Sequence, residues 1–240
     1  MSQTPPPPPA PGPNSYTTLA AGADFRHELT IKRSRFITVL RRVADEEEAR
    51  ALVAGLRREF YDARHHCSAF VLGADRRVQR SNDDGEPSGT AGLPMLDALL
   101  KRETRRSPAA TAADLSDACA VVVRYFGGVL LGAGGLGRAY SESVSAAVDL
   151  APLVRRDRMQ LFTIAAPHAA AGRLENELRS AGYVMTGNGY DAVNTQVGLA
   201  MPDDADVIAA AQERLASLTA GQGTLAPAGL DWVDTPLPRG

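Results

Sequence analysis

The stretch Ala118–Leu150, ACAVVVRYFGGVLLGAGGLGRAYSESVSAAVDL, carries the strongest local signals in the chain. Its first residues, Ala118 to Arg124, are mostly apolar and β-branched, which predicts a buried strand. A glycine-rich segment follows from Gly127 to Gly135, and Leu136 to Leu150 has the apolar spacing of an amphipathic helix. The stretch therefore predicts a strand that passes through a glycine loop into a helix.

Three glycines of this loop, Gly132, Gly134 and Gly137, fit the G-x-G-x-x-G pattern of dinucleotide-binding folds. Those folds also need an acidic residue at the end of the next strand, about 20 residues on, and Asp157 precedes its strand instead. The dinucleotide interpretation fails, and two alternatives remain. The glycines serve only tight turns and packing, or the loop binds an anion at the helix N-terminus. The candidate anion-binding residues are Arg124, Arg138, Gly132, Gly134 and Gly135.

The polar stretch Ser81–Gly92 places three carboxylates, Asp83, Asp84 and Glu86, within four positions. They could hold a hard cation or act as acid and base, although the spacing is not that of an EF-hand loop. The favoured alternative is a structured turn in which Asp and Ser side chains cap backbone amides. In that turn a carboxylate would pair with an arginine of the glycine loop. Ser88 and Thr90 belong to the same motif.

The run His65, His66 and Cys67 suggests either a metal site or a thiol–imidazole pair. Adjacent residues of a strand point to opposite faces, so His66 and Cys67 should not converge. His65 and Cys67 share a face, but no orienting third group or oxyanion hole is recognisable. We therefore favour a packed core cysteine and predict neither a metal site nor a cofactor. Cys67 and Cys119 are too few for a disulfide framework.

The whole chain of 240 residues, with 44% hydrophobic residues and a net charge of −2, can form one large or two small domains. The proline-rich residues 1–20 are predicted to be a disordered tail. Through residue 158 there are 22 basic and 19 acidic residues, and beyond it 4 and 9, so the two parts differ in charge sign. Domains are predicted over 21–152 and 157–235. No apolar run could span a membrane and no secretory signal is recognisable, so a cytoplasmic location is expected.

Both predicted domains mix helices and strands, which indicates the α+β class. In the first, alternation over Phe25–Ile31 and Phe36–Leu40 predicts a hairpin, and Asp45 with Glu48 resembles a capping box that begins a helix. The second domain has the order strand, helix, strand, strand, helix, strand. Its first strand is predicted from Met159. This order is typical of a ferredoxin-like fold.

Four segments together resemble the IMPACT/YigZ family, and the resemblance covers about residues 24–150. They are Lys32–Phe36 (KRSRF), His65–Phe70 (HHCSAF), Asp83–Gly92 (DDGEPSGTAG) and Arg124–Leu136 (RYFGGVLLGAGGL). The resemblance implies a first domain like the fourth domain of elongation factor G, a ribosomal-protein-like β-α sandwich. It also implies a second domain like the ferredoxin-like fifth domain of that factor.

What the resemblance implies for function is a translation-associated regulatory or accessory protein that binds RNA or a ribosome-associated partner, with no catalytic site. The turn residues Lys32, Arg33 and Arg35 then join the candidate phosphate contacts. Leu93 and Leu130 stand where many relatives carry a basic residue, which would delete phosphate contacts. The alternative is a Mg²⁺-dependent enzyme that acts on a small phosphorylated or nucleotide ligand.

Overall fold

The computed structural model describes residues 13–107 and 110–237, of which Arg156–Thr235 forms the second of two compact units and the others form the first. Each unit combines helices with a β-sheet, so the predicted α+β class is confirmed. No helix in the described part of the chain is both long and apolar enough to cross a membrane.

The first unit is built on a five-stranded antiparallel sheet in the order β2–β3–β8–β4–β5. The strands of the whole first unit are β1 (Ser15–Leu19), β2 (Phe25–Ile31), β3 (Ser34–Arg42), β4 (His65–Leu72), β5 (Val78–Asn82), β6 (Arg105–Ser107), β7 (Ala110–Ala112) and β8 (Ala118–Tyr125). Its helices are α1 (Glu46–Glu59), α2 (Gly92–Lys101) and α3 (Ala133–Leu150). The short strands β6 and β7 form a separate two-stranded sheet.

Strand β8 lies at the centre of the five-stranded sheet, which explains its continuous apolar sequence. Residues with side chains on one face, such as Cys119 and Val121, pack in a core with Leu52 of α1. Val122, on the other face, packs in the larger core with Tyr140 of α3. Because both faces are covered, β8 cannot show the polar alternation of a half-exposed strand.

Helix α1 begins with the predicted capping interaction. The Asp45 carboxylate accepts the Glu48 amide at 2.9 Å, and the Glu48 carboxylate accepts the Ala44 amide at 2.8 Å. Helix α3 begins at Ala133, three residues before the predicted start, so that prediction was too short. Glycine has a low helix propensity, but here packing of the apolar face from Leu136 onward overrides it.

The prediction of a disordered tail over residues 1–20 was wrong for the last part of that range, because Ser15–Leu19 forms β1. Tyr16 is 3% exposed and its hydroxyl donates a hydrogen bond to the Asp117 carboxylate. The Thr17 carbonyl accepts the Ser116 amide at 2.9 Å. The apolar and β-branched residues after the prolines therefore form a strand, although the proline-rich composition of the whole segment predicts disorder. The proline run itself lies outside the described residues.

The second unit has the element order strand, helix, strand, strand, helix, strand. Its elements are β9 (Leu153–Pro167), α4 (His168–Ser180), β10 (Val184–Tyr190), β11 (Asn194–Met201), α5 (Ala205–Leu218) and β12 (Ala226–Thr235). Within this unit the strand order is β12–β9–β11–β10. Ile164, Leu178 and Leu199 pack together in its core. Strand β9 begins at Leu153, earlier than the predicted Met159, because Pro152 ends the preceding helix and strand residues follow directly.

Candidate functional site

The acidic turn and the glycine-rich segment meet inside the first unit. Arg124 Nη1 lies 2.5 Å from Glu86 Oε1, and the Tyr140 hydroxyl donates to the same oxygen at 2.8 Å. Arg124 and Glu86 are only 5% and 8% exposed, and Tyr140 is fully buried. The predicted pairing of a carboxylate of the turn with an arginine is therefore confirmed, although Arg124 lies near the end of β8 and not in the glycine loop.

The Asp83 carboxylate receives three backbone hydrogen bonds at the start of α2. Oδ1 accepts the amides of Ala91 and Gly92 at 3.0 and 2.7 Å, and Oδ2 accepts the Gly89 amide at 2.8 Å. Burial acts to raise the pKa of Asp83, but the three hydrogen bonds outweigh it and hold the pKa below its usual value. Asp83 is thus the anchor of this loop, as the structured-turn interpretation predicts.

Asp84 links the turn to β4 and α1. Its Oδ2 accepts the His66 amide at 2.6 Å, and its Oδ1 pairs with Arg57. The residue has a φ of +44°, and its own amide donates to Asn82 Oδ1 at 2.7 Å. The side chains of Asp83, Asp84 and Glu86 therefore have separate partners. Among residues 13–107 and 110–237, no group of three His, Cys, Asp or Glu side chains could hold a metal ion.

The remaining motif residues of the turn have smaller roles. The Thr90 hydroxyl donates to the Pro87 carbonyl at 2.6 Å, and Ser88 is exposed.

Cys67 is fully buried, and its thiol donates to the Asp83 carbonyl at 3.0 Å. Burial raises the pKa of the Cys67 thiol to about 12, which supports the packed core cysteine over a nucleophile.

A cavity of about 330 Å³ opens beside the buried ion pair. Its lining residues are Arg64, His65, Glu86, Pro87, Arg124, Phe126, Leu130, Leu131, Gly132, Ala133 and Leu136. His65 Nδ1 lies 2.9 Å from the Asp84 carbonyl. A carbonyl oxygen can only accept a hydrogen bond, so Nδ1 carries a proton. The other ring nitrogen, Nε2, lies 3.9 Å from Glu86 Oε1. The cavity therefore has a polar wall and an apolar wall.

The N-terminus of α3 forms part of this cavity. Gly132 is the N-cap, with a φ of +70°, and no side chain caps the helix. The first turn also contains no acidic residue. The amides of Ala133, Gly134 and Gly135 precede the first helical donor, Leu136, whose amide bonds the Gly132 carbonyl at 2.9 Å. Such a helix end attracts anions through its free amides and its dipole.

The basic turn between β2 and β3 packs against the glycine-rich segment at Gly127. A Cβ atom on Gly127 would lie 2.0 Å from the Arg33 carbonyl oxygen, so only glycine allows this approach. The Gly127 amide also donates to Ser34 Oγ at 3.2 Å. Lys32 and Arg33 are exposed and have φ values of +46° and +67°. The predicted turn and loop residues are therefore neighbours.

Two predicted phosphate contacts are placed where their charge is already balanced. Arg124, which the sequence offered as a phosphate contact, is ion-paired to Glu86 and buried. Arg35 forms two hydrogen bonds to Glu28, at 2.8 and 3.0 Å, and lies over the Tyr125 ring. Arg138 is exposed on α3. Sequence reasoning missed Arg64, which is exposed and lines the cavity directly before the His65 motif.

Fold and site together define a two-unit α+β protein whose first unit resembles known relatives. A family model described as the Impact N-terminal domain matches residues 32–148. The IMPACT family member YvyE of Bacillus subtilis (strain 168) is 43% identical over 172 residues, which are 72% of this chain and 73% of YvyE. The chain therefore belongs to the IMPACT family.

Two further similarities extend this result. The IMPACT family member YigZ of Escherichia coli (strain K12) is 43% identical over 136 residues, which cover 56% of this chain and 61% of YigZ. A crystal structure described as that of a hypothetical protein is 34% identical and covers 90% of this chain and 98% of its own, with a TM-score of 0.54. These descriptions name no activity.

Proposed function

We propose that this protein is a translation-associated regulatory or accessory protein that binds RNA through its first unit, in the cytoplasm. The observation that carries the proposal is the uncapped N-terminus of α3, which opens into a cavity beside Arg64. Free helix amides and a nearby guanidinium match the geometry and charge of a phosphate group. Ribosomal RNA offers the same phosphate groups, so a ribosome-associated segment is also a candidate partner in this proposal.

Exposed cations beside the glycine-rich segment and on α3 support an extended phosphate-binding surface. Lys32 and Arg33 lie in the turn that packs on Gly127, and Arg138 is exposed on α3. The protein as a whole has a formal charge of −2, so long-range attraction to RNA is small. We therefore expect weak binding that falls steeply as salt rises.

We also propose a ferredoxin-like fold for the second unit and a fold like the fourth domain of elongation factor G for the first. For the second unit, the support is a β-α-β-β-α-β chain whose strands follow the order β12–β9–β11–β10. That arrangement suits a ferredoxin-like fold. For the first unit, the sheet with α1 on one face and α2 and α3 on the other suits the β-α sandwich of the fourth domain of elongation factor G. Fold analogy alone supports this link to translation.

The alternative, a Mg²⁺-dependent enzyme acting on a small phosphorylated or nucleotide ligand, has weaker support. Asp83 is occupied by three backbone amides, and Asp84 and Glu86 are occupied by arginines. A cation would have to displace these partners. A rise in melting temperature that needs both Mg²⁺ and a nucleotide would favour the enzyme.

The test is fluorescence anisotropy with a single-stranded RNA over a series of salt concentrations. The double variant Arg33→Gln with Arg138→Gln should weaken binding and lower the salt slope by about 0.7 for each phosphate that the protein no longer neutralises. The matched control, Arg58→Gln with Arg214→Gln, removes two exposed arginines elsewhere and the same net charge. Equal losses of affinity in the two double variants, or no binding at low salt, would contradict the proposal.

A further inference from the structure

The cavity at the start of α3 has one end suited to an anion. Ala133 and Gly132 belong to the uncapped helix end, and the exposed Arg64 lines the same cavity. Arg124 gives an independent sign of a ligand. It is 5% exposed and lines the cavity, and its Nε has no hydrogen-bond partner, although Nη1 and Nη2 bond Glu86 and Ser34. A buried donor without a partner is disfavoured, and an accepting ligand would relieve it once the guanidinium turns Nε, now shielded from solvent, toward the cavity.

The apolar wall of the cavity is formed by side chains that are open to solvent. Leu130 is 84% exposed and Phe126 is 45% exposed, and both line the cavity. The Arg124 guanidinium lies 5.7 Å from the centre of the Phe126 ring, which helps to fix that ring. An inorganic anion would gain nothing from these side chains. A ligand with both a phosphate group and a planar apolar part would contact both walls.

The size of the cavity limits that ligand. At about 330 Å³ it lies near the lower end of the range for small-molecule sites, roughly 300 to 1,000 Å³. Stacked bases in a duplex cannot enter such a site, whereas one unstacked base with its phosphate can. The Phe126 ring provides a stacking surface for such a base.

We propose that this cavity binds one nucleoside monophosphate unit, with its phosphate at the N-terminus of α3 and Arg64 and its base against Phe126 and Leu130. The inference rests on the proposed function, because it specifies how the protein would hold RNA. The unit comes either from an unpaired nucleotide of an RNA or from a free nucleotide, and the experiment separates these sources.

The first measurement is the affinity of the full chain for AMP, UMP, adenosine and inorganic phosphate, by NMR titration. AMP and UMP should bind about tenfold more tightly than adenosine or phosphate, because only they use both walls. They should also compete with single-stranded RNA, and duplex RNA should compete less. Equal affinity for phosphate and AMP would overturn the inference, since the apolar wall would then be unused.

Two matched pairs of variants locate the site. Ala133→Asp adds a carboxylate to the first turn of α3, where it favours the helix but repels a phosphate, whereas Ala133→Asn keeps the size without the charge. Leu130→Ser removes part of the apolar wall, and Leu150→Ser removes an equally large exposed side chain at the far end of α3. Ala133→Asp and Leu130→Ser should each lower AMP affinity by about tenfold, with the controls unchanged.

The results separate this inference from the RNA proposal. If single-stranded RNA binds Ala133→Asp and Leu130→Ser as tightly as the unmodified protein, while loss of Arg33 and Arg138 weakens it, the cavity inference is wrong. RNA binding then stands, but on the surface of Arg33 and Arg138 and not on the N-terminus of α3. If AMP binds with the expected variant pattern but RNA does not bind, the ligand is a free nucleotide and the proposed function is wrong. If neither binds, both are wrong.

Discussion

Arg124 and Glu86 form a buried ion pair that joins the end of the central strand to the acidic turn, with 2.5 Å between Nη1 and Oε1. The Tyr140 hydroxyl donates a hydrogen bond to the same carboxylate oxygen. His65, on β4, is the register partner of Arg124 on β8, so it lies beside this pair. The pair therefore defines both the packing of the two loops and one wall of the cavity.

Removing the arginine of this pair should destabilise the fold. Arg124→Leu leaves the Glu86 carboxylate buried with only the Tyr140 hydroxyl, so we expect a loss of about 3 to 5 kcal/mol in the free energy of unfolding, measured in urea. The double variant Arg124→Leu with Glu86→Leu should lose less than the sum of the two single changes, because it leaves no unpaired charge.

An exposed ion pair gives the control for this prediction. Arg50 pairs with Glu46 one turn away on α1, and the Arg50 side chain is 75% exposed. Arg50→Leu should therefore change the free energy of unfolding by less than about 1 kcal/mol. An equally small effect of Arg124→Leu would show that the buried pair contributes nothing to the fold.

Asp83 should make stability depend on pH. Its pKa is held below the ordinary value of 3.8, so its contribution is complete above that value and is lost as the pH falls through the lower folded pKa. At pH 7, Asp83→Asn should cost about 1 to 3 kcal/mol, because three backbone amides lose a charged acceptor. The difference between the two proteins in urea unfolding should shrink below about pH 4. A difference that stays constant from pH 7 to pH 3 would contradict the assigned role.

Local sequence patterns predicted the parts of the fold that depend on local chemistry. The buried run of β8 and the capping box of α1 were recognisable because hydrophobic period and cap residues act over a few positions. The pairing of a turn carboxylate with an arginine was also predictable, because a short turn with three carboxylates needs cations or amides nearby. Which carboxylate pairs with Arg124, however, depends on a contact between residues 38 positions apart.

The errors in sequence reasoning have physical causes as well. Strand β1 was missed because the preceding prolines dominate the composition, although Tyr16 finds a buried partner in Asp117, 101 residues away. Arg64 was missed because no motif includes it, although it directly precedes His65, whose strand β4 pairs with β8 beside the cavity. For Arg124 the sequence left two alternatives, a phosphate contact or a carboxylate partner, and it does not show that Glu86 neutralises the arginine. Long-range contacts decide all three cases.

The two thiols should be unreactive in the folded protein. Cys67 and Cys119 are fully buried, and burial raises the pKa of each thiol to about 12. At pH 8 both therefore remain protonated and shielded. Labelling with a disulfide reagent such as DTNB should detect no rapidly reacting thiol in buffer and two in denaturant. Rapid reaction of Cys67 in the folded protein would instead support the nucleophile that the sequence left open.

Gly127 should be the least replaceable residue of the glycine-rich segment. An added Cβ would lie 2.0 Å from both the carbonyl carbon and the oxygen of Arg33, and 2.5 Å from the Ser34 amide nitrogen. All three are backbone atoms, so no side chain can move away and the basic turn must shift. We expect Gly127→Ala to cost about 3 kcal/mol or more in urea unfolding. It should also change the NMR amide shifts of residues 32–35.

Gly134 provides the matched control for this change, because it lies in the same segment. A Cβ there meets no heavy atom within 4 Å, and the residue belongs to the first turn of α3. Gly134→Ala should therefore stabilise the protein, by about 0.5 to 1 kcal/mol, since alanine loses less backbone entropy in a helix. Equal effects of the two substitutions would mean that Gly127 is not needed for the close approach of the two loops. The opposite signs expected here would show that Gly127 is required for packing and that Gly134 is not.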